Sequence, residues 1–334
     1  DGHADLIGLG RALIADPDYP RKVGAGRHAD VTPCIACNAC LDLISRGEQA
    51  RCAVNPAVAR ERGWETDPAD TRRRVMVIGG GPSGLEAARV AGLRGHAVSL
   101  WERDARLGGK LDVASRAPSK HEVLKFRDHQ EHVLATLGVD IRLGVEVTAA
   151  DVDAEDPDVV VVATGAGPLV PPIDGVDAAH VVDAQRFLLG LEPIHPGERV
   201  TVIGGSATGC EAAELLSEAG CEVTIVEMLR SAGRGIELIT RRRLLQGLRD
   251  SGVTILTGCR VTAIEPGRTL YEQADGTAGE VATDRVALAI GWLPRAGDLV
   301  PGLNGRPHVV VGDAASPADF VAAVSGGADA ARAL

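Results

Sequence analysis

The chain contains one pattern twice, 125 residues apart. The first copy, Val75–Glu102, reads VMVIGGGPSGLEAARVAGLRGHAVSLWE, and the second, Val200–Glu227, reads VTVIGGSATGCEAAELLSEAGCEVTIVE. Each copy has an apolar run, a glycine-rich turn, a helical stretch and a second apolar run that ends in glutamate. Two such βαβ units predict an α/β protein with two parallel sheets that are covered by helices.

Three further apolar runs extend this pattern. The β-branched segment DVVVVATG at residues 158–165 has the length and composition of a buried parallel strand. Arg285–Ile290 and His308–Val311 are also predicted strands, and an alanine-rich helix is expected to follow the second of them. The glycine- and proline-rich residues 166–175 are predicted to be a connector.

Composition excludes several classes of function. The 334 residues carry 35 basic and 46 acidic side chains, a net charge of −11, and 45% are hydrophobic, which is enough for sizeable cores. The acidic balance and the 2% of aromatic residues argue against a nucleic-acid partner. No apolar run approaches the ~20 residues that cross a bilayer, and no secretory signal opens the chain. We expect a soluble, cytoplasmic protein without a membrane partner.

The first glycine turn has the pattern of a dinucleotide site. In it Gly79 makes a tight turn, Gly81 lets the backbone approach a pyrophosphate, and Gly84 lets the helix pack closely on the strand. The helix N-terminus then offers free N–H groups to the phosphates. Glu102 ends the next strand, where a carboxylate can accept hydrogen bonds from ribose hydroxyls.

The second turn departs from this pattern at one position, because Ser206 replaces the middle glycine. Its Cβ is expected to crowd a pyrophosphate and weaken binding. Glu227 favours a free 2′-hydroxyl, and hence NADH over NADPH, although Arg230 and Arg234 follow closely and oppose that preference. A nucleotide fold that has lost its ligand remains an alternative. The candidate ligands of this site are Gly204, Ser206, Gly209 and Glu227.

Four of the seven cysteines lie within nineteen residues, spaced C-x2-C-x2-C-x11-C, at Cys34, Cys37, Cys40 and Cys52. Three thiolates from one tight loop and a fourth from further along suit an iron–sulfur cluster. A zinc site, which pairs two separated CxxC knuckles, and four unrelated buried cysteines remain alternatives. The scattered Cys210, Cys221 and Cys259 are predicted to be buried small hydrophobes. No close cysteine pair lies between the two glycine turns, which argues against a disulfide reductase.

The order of these motifs resembles that of the iron–sulfur flavoproteins related to old yellow enzyme, the family of 2,4-dienoyl-CoA reductase and trimethylamine dehydrogenase. The resemblance implies FAD on the first Rossmann unit, NAD(H) on the second, a [4Fe–4S] cluster at the four cysteines and FMN in a (β/α)8 barrel. The segment DLIGLGRALIADP, residues 5–17, resembles the last strand and turn of that barrel. The rest of the barrel does not lie in this sequence, which looks like a piece of something longer.

The resemblance also implies the roles of individual residues. Gly10 and Arg11 would hold the FMN phosphate, Asp313 the ribityl chain of FAD, and Lys110 stands along the FAD where glutamine is more usual. The implied FAD ligands are Gly79, Gly81, Pro82, Ser83, Gly84, Glu102, Arg103, Gly109, Lys110, Leu111, Val147, Thr164, Gly165 and Asp313. In the cysteine motif, two residues separate the second and third cysteines, as in the amine dehydrogenases of the family.

Four regions follow from these assignments. Residues 1–30 are the barrel remnant, and residues 31–70 are the cluster segment and linker. Residues 71–190 with 294–334 form the FAD domain, and 191–293 form the NAD(H) domain.

The function implied is an oxidoreductase half that passes hydride from NADH to FAD, and single electrons through the cluster to FMN in the barrel. The barrel, in the same polypeptide or in a partner chain, would reduce an activated C=C bond. One alternative is an amine dehydrogenase that delivers electrons to an external electron-transfer flavoprotein. A second is a non-enzymatic fragment that binds only FAD. We also expect a homo-oligomer.

Overall fold

Strands and helices alternate along most of the chain, as the two βαβ units predict. The computed structural model describes residues 3–64, 66–118 and 120–334, apart from the Asp298 side chain. The strands are β1 (Arg74–Ile78), β2 (Ala97–Glu102), β3 (Asp140–Leu143), β4 (Val159–Val162), β5 (Ala166–Pro168), β6 (Val181–Asp183), β7 (Arg199–Ile203), β8 (Glu222–Glu227), β9 (Thr254–Thr257), β10 (Cys259–Glu265), β11 (Arg268–Gln273), β12 (Ala278–Ala282), β13 (Arg285–Leu288), β14 (Trp292–Pro294) and β15 (His308–Val310). The α-helices are α1 (Arg11–Ala15), α2 (Tyr19–Gly24), α3 (Ala39–Ser45), α4 (Pro82–Leu93), α5 (Leu111–Ala114), α6 (Leu124–Thr136), α7 (Ala149–Glu155), α8 (Ala184–Leu188), α9 (Ala207–Glu218), α10 (Leu238–Asp250) and α11 (Phe320–Arg332). Short 3-10 turns occupy His28–Asp30, His121–Val123, Ala296–Asp298, Val300–Leu303 and Gly312–Ala314.

The first of two compact units contains a five-stranded sheet in the order β15-β4-β1-β2-β3, with every neighbouring pair parallel. Alternate residues of β1 face opposite sides of this sheet. Val75 and Val77 lie in the apolar cluster that includes residues of α4, α6 and α11, whereas Met76 and Ile78 lie in the cluster on the other face. The sheet is therefore buried on both faces, as a doubly wound parallel sheet requires.

The second unit repeats this arrangement and adds an antiparallel sheet. Its parallel sheet has the order β6-β13-β7-β8-β9, and β10, β11 and β12 form a separate three-stranded sheet. The β7-α9-β8 segment is the second βαβ unit, and its buried core includes Cys210 and Cys221 at 0% and 9% exposure. Cys259 is 6% exposed, so the prediction that the three scattered cysteines are buried is confirmed.

The predicted α/β fold with two Rossmann-like parallel sheets is thus confirmed, but the unit boundaries differ from those that the sequence suggests. The first unit runs through Leu111 and takes up Glu122–Ala166 and Pro294–Leu334. The second comprises Asp112–His121 and Gly167–Leu293. The difference arises because β6 pairs with β13, which draws the residues before position 190 into the second sheet.

The predicted barrel strand near the N-terminus is not formed. The described residues before Arg11 contain no strand, and the side chains of Leu6 and Ile7 are 92% and 80% exposed. A strand needs a neighbouring strand for its hydrogen bonds, and no described strand pairs with this segment. The barrel remnant is therefore not shown by the structure.

Among the described residues, no helix combines the length and the apolar character that crossing a membrane requires.

Candidate functional site: two nucleotide turns and a cysteine pocket

Two glycines of the first turn are required by the packing of the protein itself. Gly79 has a φ of +110°, and a Cβ built on it would lie 2.3 Å from the carbonyl oxygen of Ala163. A Cβ on Gly84 would lie 1.9 Å from the carbonyl oxygen of Gly79. Any side chain at either position would collide with backbone, so these glycines fix the close approach of α4 to the sheet.

The middle glycine has no such reason within the protein. A Cβ on Gly81 would meet nothing within 4 Å, and its φ of −76° and ψ of 179° are accessible to any residue. Gly81 is the N-cap of α4, where no described side chain caps the helix, so the first N–H groups face this open space. A bound pyrophosphate explains both the missing side chain and the uncapped helix end.

Glu102 organises the same turn from the end of β2. Its side chain is 6% exposed, and its two oxygens accept hydrogen bonds from the backbone N–H of Gly80 (2.6 Å) and of Asp104 (2.8 Å). A carboxylate has about four acceptor sites, so acceptors remain for ribose hydroxyls. Glu102 thus fixes the loop and remains suited to its predicted role.

Buried polar atoms without partners border this turn. The hydroxyls of Ser83 and Thr164 are both buried, and neither has a hydrogen-bond partner among the described residues. Ser83 is in the first turn of α4, and Thr164 follows Ala163, which contacts Gly79. Because buried hydroxyls are seldom left unpaired, these two atoms fit the polar groups of a ligand such as FAD.

Lys110 and Asp313, both expected along the FAD, form an ion pair. The Nζ of Lys110 donates to Oδ2 of Asp313 at 2.7 Å, and the other oxygen of Asp313 accepts from the N–H of Ala318. Burial lowers the pKa of Lys110, although Asp313 opposes that shift. The pair sets a positive group beside a carboxylate that is suited to accept from ribityl hydroxyls.

The other predicted FAD residues differ in their burial and in their distance from the glycine turn. A Cβ on Gly109 would lie 3.2 Å from the Cα of Gly81, so this loop packs against the turn. Leu111 is buried and Gly165 has a φ of +72°. Val147 packs against the apolar cluster on the face of Met76, whereas the Arg103 side chain is half exposed. Pro82 is the first residue of α4, where its missing N–H costs nothing.

The second turn repeats the first almost atom for atom. A Cβ built on Gly204 would lie 2.5 Å from the carbonyl oxygen of Ala289, and one on Gly209 would lie 1.9 Å from that of Gly204. Glu227 accepts from the N–H groups of Gly205 (2.6 Å) and Leu229 (2.7 Å). The backbone turn and the carboxylate of the first site are therefore both repeated in the second unit.

Ser206, the departure within this turn, causes no strain in the protein. It is the N-cap of α9, its φ of −72° is ordinary, and its hydroxyl donates to the carbonyl oxygen of Ala289 at 3.4 Å. The serine therefore changes the space offered to a ligand, not the fold.

Aligned glutamates in the two helices form ion pairs that the sequence analysis left unassigned. Glu86 is fully buried and accepts from Arg89 and from Gln130, at 2.6 and 2.8 Å. Glu211, the repeat equivalent of Glu86, is 6% exposed and accepts from Lys120 of the same unit. The signal was the alignment of the two glutamates, but their partners are distant in sequence.

The four clustered cysteines line one small cavity in the first unit, together with Arg11 and Asn38. Ala36 and Asn38, which separate three of them, have φ values of +53° and +62°. Positive φ values at these two positions bend the loop tightly, and its three cysteines line the same cavity. Burial raises the pKa of the Cys52 thiol, so a metal must displace its proton on binding.

Within the described residues, no three His, Cys, Asp or Glu side chains are grouped so as to hold one metal ion. The thiolates around a cubane cluster sit at its corners and are further apart than four ligands of a single ion. The shared cavity and its donor set fit such a cluster, and the ligand assignment remains a prediction.

Arg11, predicted to hold the FMN phosphate, donates to Oδ1 of Asn38 at 2.5 Å. Gly10 is the N-cap of the five-residue helix α1, and no described side chain caps it. The structure thus joins the predicted FMN segment to the cysteine loop, and FMN binding itself remains a prediction.

Two Rossmann units with paired glycine turns, each closed by a glutamate, define a class of proteins that binds two dinucleotides. Residues 73–300 match the pyridine nucleotide-disulphide oxidoreductase family, and the chain belongs to it. No disulfide joins any two of the seven cysteines, all of which lie in the described residues, and none of them lies between the two turns.

Similar proteins narrow the class further. The chain is 38% identical to an NADH oxidase of Thermoanaerobacter brockii (98% of this chain, 51% of the relative) and 40% identical to a bilirubin reductase of Mediterraneibacter gnavus (90% and 46%). A 2-naphthoyl-CoA reductase structure superposes with a TM-score of 0.93 at 28% identity, covering 100% of this chain and 51% of that one. Demethylases and amine dehydrogenases are also relatives.

The expected resemblance to flavoproteins related to old yellow enzyme is thereby confirmed. The chain belongs to a family of flavin oxidoreductases, and its Rossmann domains support the binding of FAD and NAD(P)H. It spans about half the length of the curated relatives that it matches.

Proposed function

We propose that the chain is the electron-transfer half of an iron–sulfur flavoenzyme. In this role it takes hydride from NADH and delivers single electrons to FMN in a (β/α)8 barrel, which reduces an activated C=C bond of the enoyl- or dienoyl-CoA kind. The observation that carries the proposal is the pair of nucleotide turns with the same backbone geometry in one chain that also holds a four-cysteine cavity.

The chain's residues have defined tasks in this proposal. Gly81 and the free end of α4 bind the FAD pyrophosphate, Glu102 binds the adenosine ribose, and Asp313 orients the ribityl chain. Glu227 and the end of α9 do the same for NADH. When bound, a flavin accepts two electrons as hydride and releases them singly, which suits transfer to a one-electron cluster.

Because the chain spans about half the length of its relatives, we also propose what the rest of the enzyme contains. The substrate pocket and most of the FMN site would lie in the barrel, which belongs to the same polypeptide or to a partner chain. A homo-oligomer, a cytoplasmic location and an electron-transfer flavoprotein as further partner complete the proposal.

An amine dehydrogenase that sends electrons outward to such a flavoprotein is the second candidate function. Ser206 favours it, because a second turn that no longer binds nucleotide tolerates a serine at the pyrophosphate position. The amine-oxidising relatives favour it as well.

Rapid mixing of NADH with the purified, FAD-loaded chain separates the candidates. The proposed reductase predicts flavin bleaching that saturates with NADH and is lost when both Glu227 and Ser206 are changed to bulky apolar residues. A flavin that stays oxidised at saturating NADH contradicts the reductase. Reduction by an amine substrate after the barrel is supplied then supports the dehydrogenase, and silence toward both supports a fragment that only binds FAD.

A further inference from the structure

The two nucleotide turns differ at a second position, which lies beside the first. In the first unit, Gly81 contacts Gly109, because a Cβ on Gly109 would lie 3.2 Å from the Cα of Gly81. The 125-residue offset relates position 81 to Ser206 and position 109 to Arg234. A Gly–Gly contact at one turn therefore corresponds to a Ser–Arg neighbourhood at the other.

This correspondence holds in three dimensions. Ser206 and Arg234 are joined by a parallel β-bridge. The N–H of Gly233 donates to the carbonyl oxygen of Gly205 at 2.6 Å, as the N–H of Gly108 donates to that of Gly80 at 2.9 Å. The loop after each closing glutamate thus returns to its glycine turn in the same way.

Arg234 differs from a neighbouring arginine in its contacts. Arg241 is already hydrogen-bonded within the protein, because its Nε donates to the carbonyl oxygen of Ala232 at 2.8 Å. Arg234 is exposed and, in the described part of the chain, its guanidinium has neither a hydrogen bond nor an ion pair. The backbone of Arg234 is thus bridged to Ser206, the N-cap of α9, so its cationic side chain starts next to a helix end where an anion is expected.

We propose that Arg234 is a further binding residue of the second nucleotide site and that it binds the pyrophosphate of the nicotinamide nucleotide. The proposal rests on the NADH role assigned to the second turn. At the first turn, Gly81 has no side chain, so the backbone can approach the pyrophosphate closely. At the second turn, the Cβ of Ser206 obstructs that approach, and charge-assisted hydrogen bonds from the guanidinium of Arg234 take its place.

The pyrophosphate is the assigned group because Arg234 is bridged to Ser206, the residue that faces it. Arg230 follows Glu227 by three positions and is the comparator for a 2′-phosphate. An arginine at the shared pyrophosphate strengthens NADH and NADPH equally, whereas an arginine at the 2′ position strengthens NADPH alone.

The test measures dissociation constants of NADH, NADPH, ADP and adenosine for the full FAD-loaded chain and its variants. Arg234→Ala is expected to weaken NADH, NADPH and ADP by at least about tenfold and to leave adenosine unchanged. Arg234→Lys retains the charge without the planar guanidinium, so its affinity for NADH, NADPH and ADP should lie between those of the wild type and Arg234→Ala. The salt dependence of NADH binding should also fall in Arg234→Ala.

Two controls make the result specific. Arg242→Ala removes the same charge from the exposed part of α10 and should change nothing. Arg230→Ala should leave NADH and ADP binding unchanged. Flavin content and melting temperature show whether each variant is folded.

The outcomes distinguish the inference from the function on which it rests. Unchanged NADH affinity in Arg234→Ala, or a loss confined to NADPH, overturns the inference and leaves the NADH role standing. A wild-type chain that binds no nucleotide overturns both.

Discussion

At the scale of single residues, the glycines of a nucleotide turn divide into two kinds. Gly79 and Gly84 are needed by the protein's own backbone, whereas a Cβ on Gly81 would meet nothing within 4 Å. This division makes Gly81 a position where ligand binding can be changed without changing the fold.

Gly81→Val should therefore empty the FAD site, because its side chain would block the approach of backbone to pyrophosphate. The apo form should fold normally, since the backbone angles at position 81 suit any residue. Flavin content after purification and the melting temperature of the apo chain check the two statements. Ser206→Val, at the equivalent position of the second unit, is the matched control and should retain flavin. Full flavin in Gly81→Val would mean that the dinucleotide binds elsewhere.

Glu227 and Ser206 should act on different properties of nucleotide binding. A carboxylate in a buried site repels a 2′-phosphate, so we expect NADH to be preferred by at least about tenfold, or ~1.4 kcal/mol. Glu227→Ala should erase the ratio, but it also removes the acceptor of two loop N–H groups. Glu227→Gln removes the charge and keeps one of the two acceptors, so it disturbs the loop less than alanine does. An unchanged ratio in both variants would rule out Glu227 as the ribose ligand.

Ser206→Gly should tighten NADH and NADPH together and leave their ratio unchanged, since position 206 faces the shared pyrophosphate. Equilibrium titration of both nucleotides provides the check. A change in the ratio would place position 206 near the 2′ end instead.

At the scale of elements, the repeat includes an arginine–aspartate contact at the start of the first strand of each βαβ unit. Arg199 at the start of β7 donates from its backbone and its Nε to Asp284, both at 2.9 Å, and Arg74 at the start of β1 donates from its backbone to Asp158 at 2.6 Å. In each unit the aspartate precedes the strand that pairs with the first one, so the contact fixes the register of two parallel strands.

This contact predicts a pH dependence of stability. Hydrogen bonds from Arg199 lower the pKa of Asp284 to about 2. A folded pKa below the unfolded value of about 3.9 stabilises the fold above that value, and the contribution is lost as pH falls towards 2. Because both side chains are about 40% exposed, solvent reduces the contribution to about 1 kcal/mol or less.

Urea unfolding of Asp284→Asn at neutral pH and at pH ~3 measures it, since about half the linkage is lost by then. The difference from wild type should shrink at the lower pH. Asp177→Asn, an exposed carboxylate of the same unit, should show no such change. A difference that stays constant would show that the ionised carboxylate is not what stabilises the strand pair.

The elements that the sequence predicts well are those with the repeated βαβ pattern. The expected strands at 158–165, 285–290 and 308–311 appear as β4, β13 and β15, because buried parallel strands are nearly continuous apolar runs. The antiparallel sheet of β10, β11 and β12 was missed, although Asp275-Gly276 is a hairpin signal between two of its strands. Its half-exposed strands mix polar and apolar residues, so no uniform run identifies them.

The residues of the candidate site were predictable from the sequence only where they are close together along the chain. Turn residues followed from local spacing, but the partners of Glu86 and Glu211 depend on tertiary packing of distant segments. The pairing of Ser206 with Arg234 is also tertiary.

At the scale of the whole molecule, the predicted cofactor sites use separate sets of residues. The four cysteines line a cavity in the first unit and share no residue with the glycine turn of that unit. Loss of one group should therefore leave the other bound, which provides a test of the cluster assignment that does not depend on activity.

Anaerobically purified chain should contain about four irons per polypeptide, as a [4Fe–4S] cluster requires. Cys52→Ala should lose most of the iron and its broad visible absorbance while keeping FAD, because a removed thiolate leaves one iron without its protein ligand. Cys259→Ala is the matched control: this cysteine is also buried but lies in the second unit, so iron and flavin should both stay. Metal analysis and flavin absorbance measure both contents on the same sample. Stoichiometric zinc in place of iron, or full iron in Cys52→Ala, would contradict the assignment and remove the one-electron step from the proposed function.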